Sequence, residues 1–288
     1  MSETTLNLTV IGDCACSTTR TYLTYLRSAG LRVKRLWLVN FGPESRRRRL
    51  ARRFLGSTVT NLLLDRRSRA SFTPAVLDER YPGLCMRLQE EAGFVPIDHF
   101  SAWSPDDFAE EVTRFRASDF ADAALQARMS AARDTAFLYT NGGIVPGSLF
   151  DTPDLRMFHI HPGMVPELRG SDCFLWSAAV RRKLGVSCFY MSAGIDEGTI
   201  LGQREFELPR LPSLAPFMKP DEEPLANRAL LFAVDPHLRA SLFMDVLSAH
   251  PDADLRNLPA RGQPQATRPA YLWMHPRLRL QTMRDAFL

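Results

Sequence analysis

The spacing of two histidines and an aspartate would allow folding to bring them together. Side chains of these types can transfer protons. His159 and His161 alternate within a short apolar run that Pro162 and Gly163 bring to an end, and Asp196 follows later between two glycines. Alternation along a strand places both imidazoles on one face. An imidazole exchanges protons near neutral pH, and a neighbouring carboxylate raises its pKa and orients it. Taken alone, each of these side chains would more commonly be a structural polar group.

The elements that must position these residues follow from the apolar runs. Residues 6–11 predict a buried strand, Ser17 or Thr18 a helix cap, and 33–39 a second strand, which together indicate a parallel sheet with a right-handed crossover. Further strands are predicted over 135–139, 157–161, 186–192, 199–208 and 270–274. Helices are predicted over 43–55, 73–91 with a break at Pro82-Gly83, 105–131 and 171–183, followed by a helical tail interrupted at Pro236.

These elements predict an α/β fold with a Rossmann-like, mostly parallel sheet flanked by helices. We assign residues 1–207 to this catalytic domain. Five prolines between positions 208 and 224 indicate a boundary, so residues 208–288 are predicted to form a small, partly helical C-terminal extension.

Composition excludes several classes of protein. The 288 residues carry a net charge of only +4. The five cysteines are too few and too scattered for a disulfide framework, and the Cys14-Ala-Cys16 pair lacks the second pair of a zinc site, so no metal is predicted. The chain shows neither a signal peptide nor an apolar run long enough to cross a membrane. We therefore expect a cytoplasmic protein without membrane partners.

An arginine run offers a second possible function. Arg46–Arg49 are all arginine, and Arg52 and Arg53 follow them. Nucleic-acid binding is one interpretation, but no aromatic residues interleave with the run, so we favour a solvated helix face. Near the N-terminus, a G-x-G-x-x-G dinucleotide fingerprint is absent. Ser17 at a helix start could hold an anion or simply cap the helix.

The central motifs resemble those of the folate-dependent formyltransferases. That family carries Asn-x-His-Pro-[Ser/Gly]-x-x-Pro-x-x-[Arg/Lys]-Gly, then a helix, a strand beginning Gly-[Val/Thr]-[Thr/Ser], and Asp-x-Gly. The present chain reads HIHPGMVPELRG over 159–170, GVS over 185–187 and GIDEGTI over 194–200. Upstream, NGGIVP over 141–146 looks like the segment whose backbone contacts the pterin. The similarity spans about residues 135–206.

The resemblance implies formyl transfer from 10-formyltetrahydrofolate to an amine. His161 would then take or pass a proton, Asp196 would orient it, and position 159 would donate an N–H to the formyl oxygen. These three residues are the implied catalytic set. The implied cofactor-binding residues are Asn141, Gly143, Ile144, Val145, Gly194, Ile195 and Gly198. The implied substrate-binding residues are Ser17, Arg169 and Gly170.

The chain departs from the family at one catalytic position, because His159 replaces the usual asparagine. An imidazole can also donate an N–H, and loss of such a donor typically costs about 100- to 1000-fold in rate. Three interpretations stay open: His159 is a working donor, the chemistry differs, or the protein binds without efficient catalysis.

The preferred function is therefore N-formyl transfer to a small-molecule amine in specialised, biosynthetic one-carbon metabolism. A hydroxylated ornithine derivative or an amino sugar would fit. The alternatives are a 10-formyltetrahydrofolate hydrolase and a non-catalytic folate-binding or scaffold homologue. Formylation of initiator tRNA is disfavoured because residues 208–288 show no recognisable RNA-binding pattern. A homodimer is left open.

Overall fold

The protein is described from a computed structural model, which describes residues 3–13, 16–42, 78–140, 145–152 and 154–288. Within them, a seven-stranded sheet has the order β3-β2-β1-β4-β5-β6-β7. The strands are β1 Thr4–Gly12, β2 Leu31–Phe41, β3 Ala109–Ala117, β4 Ala136–Tyr139, β5 Met157–His161, β6 Leu184–Tyr190 and β7 Ile200–Phe206. The helices are α1 Ser17–Ser28, α2 Arg80–Glu91, α3 Ala123–Ala131, α4 Cys173–Arg181, α5 Glu223–Ala233, α6 Asp235–Ser248 and α7 Pro276–Phe287.

The pairing of the strands changes from parallel to antiparallel after β5. Strands β3, β2, β1, β4 and β5 pair in that order, each parallel to the next. Strand β6 then runs antiparallel to β5, and β7 antiparallel to β6. The prediction of a Rossmann-like, mostly parallel sheet flanked by helices is confirmed.

Two apolar cores cover the two faces of the sheet. The larger core includes Phe158 and Ile160 of β5 together with residues of α1, α2, α4, α5, α6 and α7. The smaller core includes Met157 of β5 and packs against Leu125 and Met129 of α3. Adjacent residues of β5 therefore serve opposite faces, as the alternation of a strand requires.

The C-terminal segment forms part of the larger core. Helix α6 packs against α1, β5, β6 and β7, and α7 packs against α4 and α5. Leu242 of α6 and Phe287 of α7 are both buried in that core. The division between residues 1–207 and 208–288 stays a prediction, while the contacts show that the tail helices help to cover the sheet.

Several local predictions were wrong. Residues 109–117 form an edge strand instead of a helix. Pro82 and Gly83 do not break α2, because they lie in its first turn, where backbone N–H groups have no intrahelical partner. Residues 270–274 form only an isolated bridge between Gly170 and Tyr271, and not a strand.

The predicted cap of α1 also differs. Ser17 is the first residue of the helix, Cys16 occupies the N-cap position, and no side-chain cap hydrogen bond forms there. The predicted basic helix over 43–55, with the arginine run at 46–53, lies outside the described residues.

Candidate active site

Strand β5 brings the two histidines to the same face of the sheet. Phe158 and Ile160 are buried in the larger core, so His159 and His161 point to the other side. On β6, Phe189 pairs with His159 and Ser187 with His161. His161 is buried, whereas His159 is partly exposed. The predicted common face of the two imidazoles is confirmed.

Asp196 reaches the histidines from the loop between β6 and β7. The end of β6 lies beside the start of β5, since Tyr190 pairs with Phe158. The loop must therefore fold back along β5 to place Asp196 Oδ2 3.5 Å from His161 Nδ1. Asp196 has a φ of 54°, in the left-handed region that aspartate tolerates better than most residues. The same carboxylate oxygen accepts a hydrogen bond from Gly170 N at 2.8 Å.

The turn after β5 fixes the orientation of His161. The Leu168 carbonyl lies 3.1 Å from His161 Nε2. Because a carbonyl can only accept, this contact assigns the proton to Nε2 and leaves Nδ1 facing Asp196. A Cβ atom on Gly163 would lie 2.8 Å from His161 Nε2 and closer still to the Leu168 oxygen. The glycine after Pro162 is thus required by the close approach of turn and ring.

A hydrogen-bonded serine ties this turn to the neighbouring strand. Ser187 Oγ donates to the Gly163 carbonyl at 2.7 Å and accepts from Val165 N at 3.1 Å. Gln203 Nε2 lies 2.9 Å from Ser187 Oγ and 2.7 Å from the Val165 carbonyl. Strands β6 and β7 therefore hold the turn that orients His161.

Burial favours neutral imidazoles at the site. It lowers the pKa of His161, although the charge of Asp196 acts in the opposite direction. Burial also lowers the pKa of His159 to about 4, again against the effect of Asp196. His159 Nδ1 has no hydrogen-bond partner, while the Tyr139 backbone hydrogen-bonds to the ring. A neutral His161 can accept a proton, and His159 has a nitrogen free for another ligand.

A buried ion pair lies behind the histidines. Arg239 and Asp235 on α6 are in contact at 2.5 Å. Arg239 Nη1 lies 3.4 Å from the carbonyl of Ile160, the residue between the two histidines, and Nη2 lies 3.2 Å from Thr18 Oγ1. The sequence analysis missed this pair. Its only signal was the i,i+4 spacing of opposite charges on a helix.

The tail supplies a second contact that the sequence analysis missed. Gln263 Nε2 donates to the carbonyls of Asp196, at 3.0 Å, and Gly198, at 2.6 Å. Arg261 forms backbone hydrogen bonds with Ile200 at the start of β7. Residues from a loop of the predicted extension thus hold the loop that carries Asp196. No local sequence pattern points to such a contact.

Two of the three predicted substrate residues, Arg169 and Gly170, contact the loop that carries Asp196. Arg169 contacts Glu197 and the Ile195 carbonyl. Gly170 has a φ of 101° and donates its N–H to Asp196. Ser17 is buried in the first turn of α1. Its role in substrate binding stays a prediction, as do those of Arg169 and Gly170.

The predicted cofactor residues are only partly described. Val145 is buried in the smaller core, whereas Ile195 in the Asp196 loop is exposed. A Cβ atom on Gly194 would meet the Glu197 side chain, and one on Gly198 would overlap the Tyr190 carbonyl, so both glycines allow tight packing of the loop. Asn141, Gly143 and Ile144 lie outside the described residues.

The site brings together groups that could also ligate a metal. One ligand atom from each of His159, His161 and Asp196 lies within 4.8 Å of the others. The fold and this cluster define an α/β domain with two imidazoles and a carboxylate grouped beside β5.

Comparisons with known proteins agree with that class. The family model described as formyl transferase matches residues 84–211. Methionyl-tRNA formyltransferase of Syntrophus aciditrophicus (strain SB) is 35% identical over 69 residues, which cover 24% of this chain and 22% of the relative. Methionyl-tRNA formyltransferase of Endomicrobium trichonymphae is 28% identical over 111 residues, covering 36% and 31%. The matches thus span less than a third of each curated relative.

A sugar N-formyltransferase structure from Shewanella sp FDAARGOS_354 aligns with a TM-score of 0.41 at 12% identity, covering 97% of this chain and 87% of that one. The stretch that matches the formyl transferase family model includes His161 and Asp196. Among the residues that the structure describes, every helix is too short or too polar to span a bilayer.

Proposed function

We propose that this protein is an N-formyltransferase that moves a formyl group from 10-formyltetrahydrofolate to a small-molecule amine. The observation that carries the proposal is the 3.5 Å approach of His161 Nδ1 to Asp196 Oδ2 beside His159. The match of residues 84–211 to the formyl transferase family supports the reaction class.

The residues present fit a formyl donor. His159 has a buried Nδ1 without a partner, which is the kind of group expected where a ligand supplies the missing contact. When bound, 10-formyltetrahydrofolate would supply the formyl group. Gly194, Ile195 and Gly198 of the Asp196 loop, with Val145, would hold its pterin.

His161 would move the proton in this reaction. Its Nε2 proton is engaged by the Leu168 carbonyl, so Nδ1 is the atom that would accept a proton from the attacking amine. Asp196 would stabilise the resulting imidazolium across 3.5 Å. The same proton would pass to the folate nitrogen as its bond to the formyl carbon breaks, so the proton balance closes within the site.

His159 would bind the formyl oxygen. A proton taken up at Nδ1 would let the ring donate to that oxygen as negative charge develops. Arg239 would hold the strand that carries both histidines, through the Ile160 carbonyl and Thr18.

The fold of the tail favours a small acceptor over tRNA. Residues 208–288 form α5, α6, α7 and connecting loops, and α6 packs onto the sheet. The similarity to methionyl-tRNA formyltransferases covers 22% and 31% of those proteins. We therefore extend the formyl-transfer chemistry, and not the tRNA acceptor, to this chain.

The test is incubation of the purified protein with 10-formyltetrahydrofolate and a panel of acceptors, followed by mass spectrometry of the products. The panel contains hydroxylated ornithine derivatives, amino sugar nucleotides and initiator methionyl-tRNA. We expect a formylated small amine, and a rate lower by about 100- to 10,000-fold in Asp196→Asn, the range for general acid–base catalysis. Asp245→Asn, a substitution of an exposed carboxylate, is the matched control.

Other products would reject the proposal. Formate released without an amine would identify a hydrolase instead. Folate binding with neither formate nor a formylated amine would identify a non-catalytic homologue, and formylation of methionyl-tRNA alone would contradict the small acceptor.

A further inference from the structure

The contact between His161 and Asp196 leaves two electron-rich atoms facing each other. His161 Nε2 donates to the Leu168 carbonyl, so Nδ1 of the neutral ring presents a lone pair. That lone pair faces Asp196 Oδ2 at 3.5 Å. Two such atoms repel each other unless a proton or a cation lies between them.

His159 adds a third electron donor to the same space. Its ring hydrogen-bonds to the Tyr139 backbone. Nδ1 is buried and has no partner. A neutral imidazole carries one lone pair, and Nδ1 is the ring nitrogen left without a partner that an ion could engage.

We propose that His159, His161 and Asp196 form a binding site for one divalent transition-metal ion. Their ligand atoms lie within 4.8 Å of one another. Two ligands about 2.0–2.2 Å from a tetrahedral zinc ion lie roughly 3.3–3.6 Å apart. The distance between His161 Nδ1 and Asp196 Oδ2 already has this value. The His159 ligand atom, which lies within 4.8 Å of the other two, would move closer when the ion binds.

The partners of these ligands also suit a metal site. A metal-binding histidine usually donates its other ring N–H to a carbonyl or carboxylate, and a metal-binding carboxylate is itself hydrogen-bonded. His161 meets the first condition through Leu168, and Asp196 meets the second through Gly170 N. These contacts fix the ring and the carboxylate before any ion arrives.

The ligand set selects the class of ion. Two imidazoles and one carboxylate suit zinc, iron(II) or cobalt(II), with open positions for water or a ligand. Magnesium and calcium prefer oxygen ligands and would bind weakly here. Replacement of the family asparagine by His159 adds a second imidazole to the cluster.

The bound ion and the acid–base site use the same atoms. In the proposed formyl transfer, the lone pair of His161 Nδ1 accepts a proton from the amine. A metal ion bound to Nδ1 would occupy that same lone pair. The metal site itself does not rest on formyl transfer, because binding is measured without folate or amine. Each proposal can therefore fail while the other holds.

The test is titration of the chelator-treated, full-length protein with Co²⁺ and, separately, Zn²⁺ and Mg²⁺. Calorimetry gives affinity and stoichiometry, and the cobalt absorption spectrum reports the ligands. We expect one Co²⁺ or Zn²⁺ per chain and much weaker Mg²⁺ binding. Removal of a residue that only hydrogen-bonds to a metal ligand typically lowers metal affinity by about 10- to 100-fold. His159→Asn removes a ligand itself, so we expect it to lower Co²⁺ affinity by at least about 100-fold.

Matched variants separate this site from adventitious binding. His250→Asn removes a histidine outside the cluster and should bind Co²⁺ like the wild type. Cys16→Ser tests whether a thiol contributes, and it should leave the cobalt spectrum unchanged. Unfolding curves of all variants establish that the fold is intact.

Three results would overturn the proposal. The first is no Co²⁺ or Zn²⁺ binding by the folded wild type. The second is equal affinity in wild type and a folded His159→Asn variant. The third is a ¹⁵N spectrum in which His161 Nδ1 stays protonated in the presence of the ion, since a proton would then occupy the position assigned to the metal.

Discussion

The oxygen of Asp196 that faces the His161 imidazole also accepts the backbone N–H of Gly170, at 2.8 Å. One carboxylate atom thus joins the turn after β5 to the loop after β6. The position of the acid relative to the base is set by the backbone on both sides, so substitutions that move either loop should affect chemistry before they affect stability.

Two substitutions at His159 test its role in formyl transfer. An amide can replace an imidazole N–H as donor, so His159→Asn should retain substantial activity. His159→Ala removes the donor and should lower the rate by about 100- to 1000-fold. Single-turnover transfer of the formyl group, followed by mass spectrometry, measures both. Equal loss in the two variants would count against the donor role.

Substitution of Gly163 should misplace His161. In Gly163→Ala the new Cβ would lie 2.8 Å from His161 Nε2 and closer still to the Leu168 oxygen, so ring and turn must separate. We expect kcat to fall by at least about tenfold with the folded state retained, as measured by kinetics and circular dichroism. Gly262→Ala is the control, because a Cβ there meets nothing within 4 Å. Unchanged kcat in Gly163→Ala would show that the close approach is dispensable.

Gln263 should position Asp196 through the backbone of its loop. Gln263→Ala removes the donor to the Asp196 and Gly198 carbonyls, and the freed loop should sample positions away from His161. We expect a lower kcat with a smaller change in KM, measured by steady-state kinetics. Gln281→Ala changes an exposed glutamine whose amide donates to Asp285, and serves as control. Wild-type kinetics in Gln263→Ala would refute this positioning role.

Acid should destabilise the fold through His237, which is buried, and His99, which is partly buried; neither belongs to the cluster of His159, His161 and Asp196. Burial lowers the pKa of His237 to about 4 and that of His99 to about 3, against an ordinary value of 6.5. The unfolded chain therefore binds more protons than the folded one between these pKa values and 6.5. The contribution of these two neutral histidines to stability should be fully present above pH 6.5. As the pH drops towards 4, the free energy of unfolding should fall by about 1.4 kcal/mol per histidine for each pH unit.

Urea unfolding at pH 7 and pH 5 measures this loss. His237 contacts the Tyr25 hydroxyl and Gln89, and Phe94 stacks on its ring, so no carboxylate among these contacts offsets the burial. His237→Gln removes one titrating group and should show a smaller difference between the two pH values. An identical difference in variant and wild type would contradict the assignment.

The sequence predicted the elements that carry the site because their signals are local. Along β5, side chains alternate between the larger core and the face that carries the histidines. The strand then ends at Pro162 and Gly163. Residues 109–117 gave no such signal, since this edge strand has one neighbour only and exposes several charged residues. An edge strand with charged side chains lacks the clean alternation of a half-buried strand.

The contacts that complete the site were not predictable from the sequence. Arg239 and Gln263 lie far along the chain from the residues they hold, and neither belongs to a motif. Only the packing of α6 on the sheet and the path of the loop at 251–269 bring them near. Local sequence patterns identify His161 and Asp196 as the acid–base pair. The contacts that hold these two residues in place depend on tertiary structure.

The tail contacts also bear on protein engineering. Gln263 hydrogen-bonds to the loop that carries Asp196. The main chain of Tyr271 forms hydrogen bonds with Arg169 and Ser171, on either side of Gly170. A chimera that exchanged everything after position 207 for a foreign segment would leave the acid's loop without its anchors. Hybrids intended to accept new amines should therefore keep the native stretch from Arg261 to Tyr271.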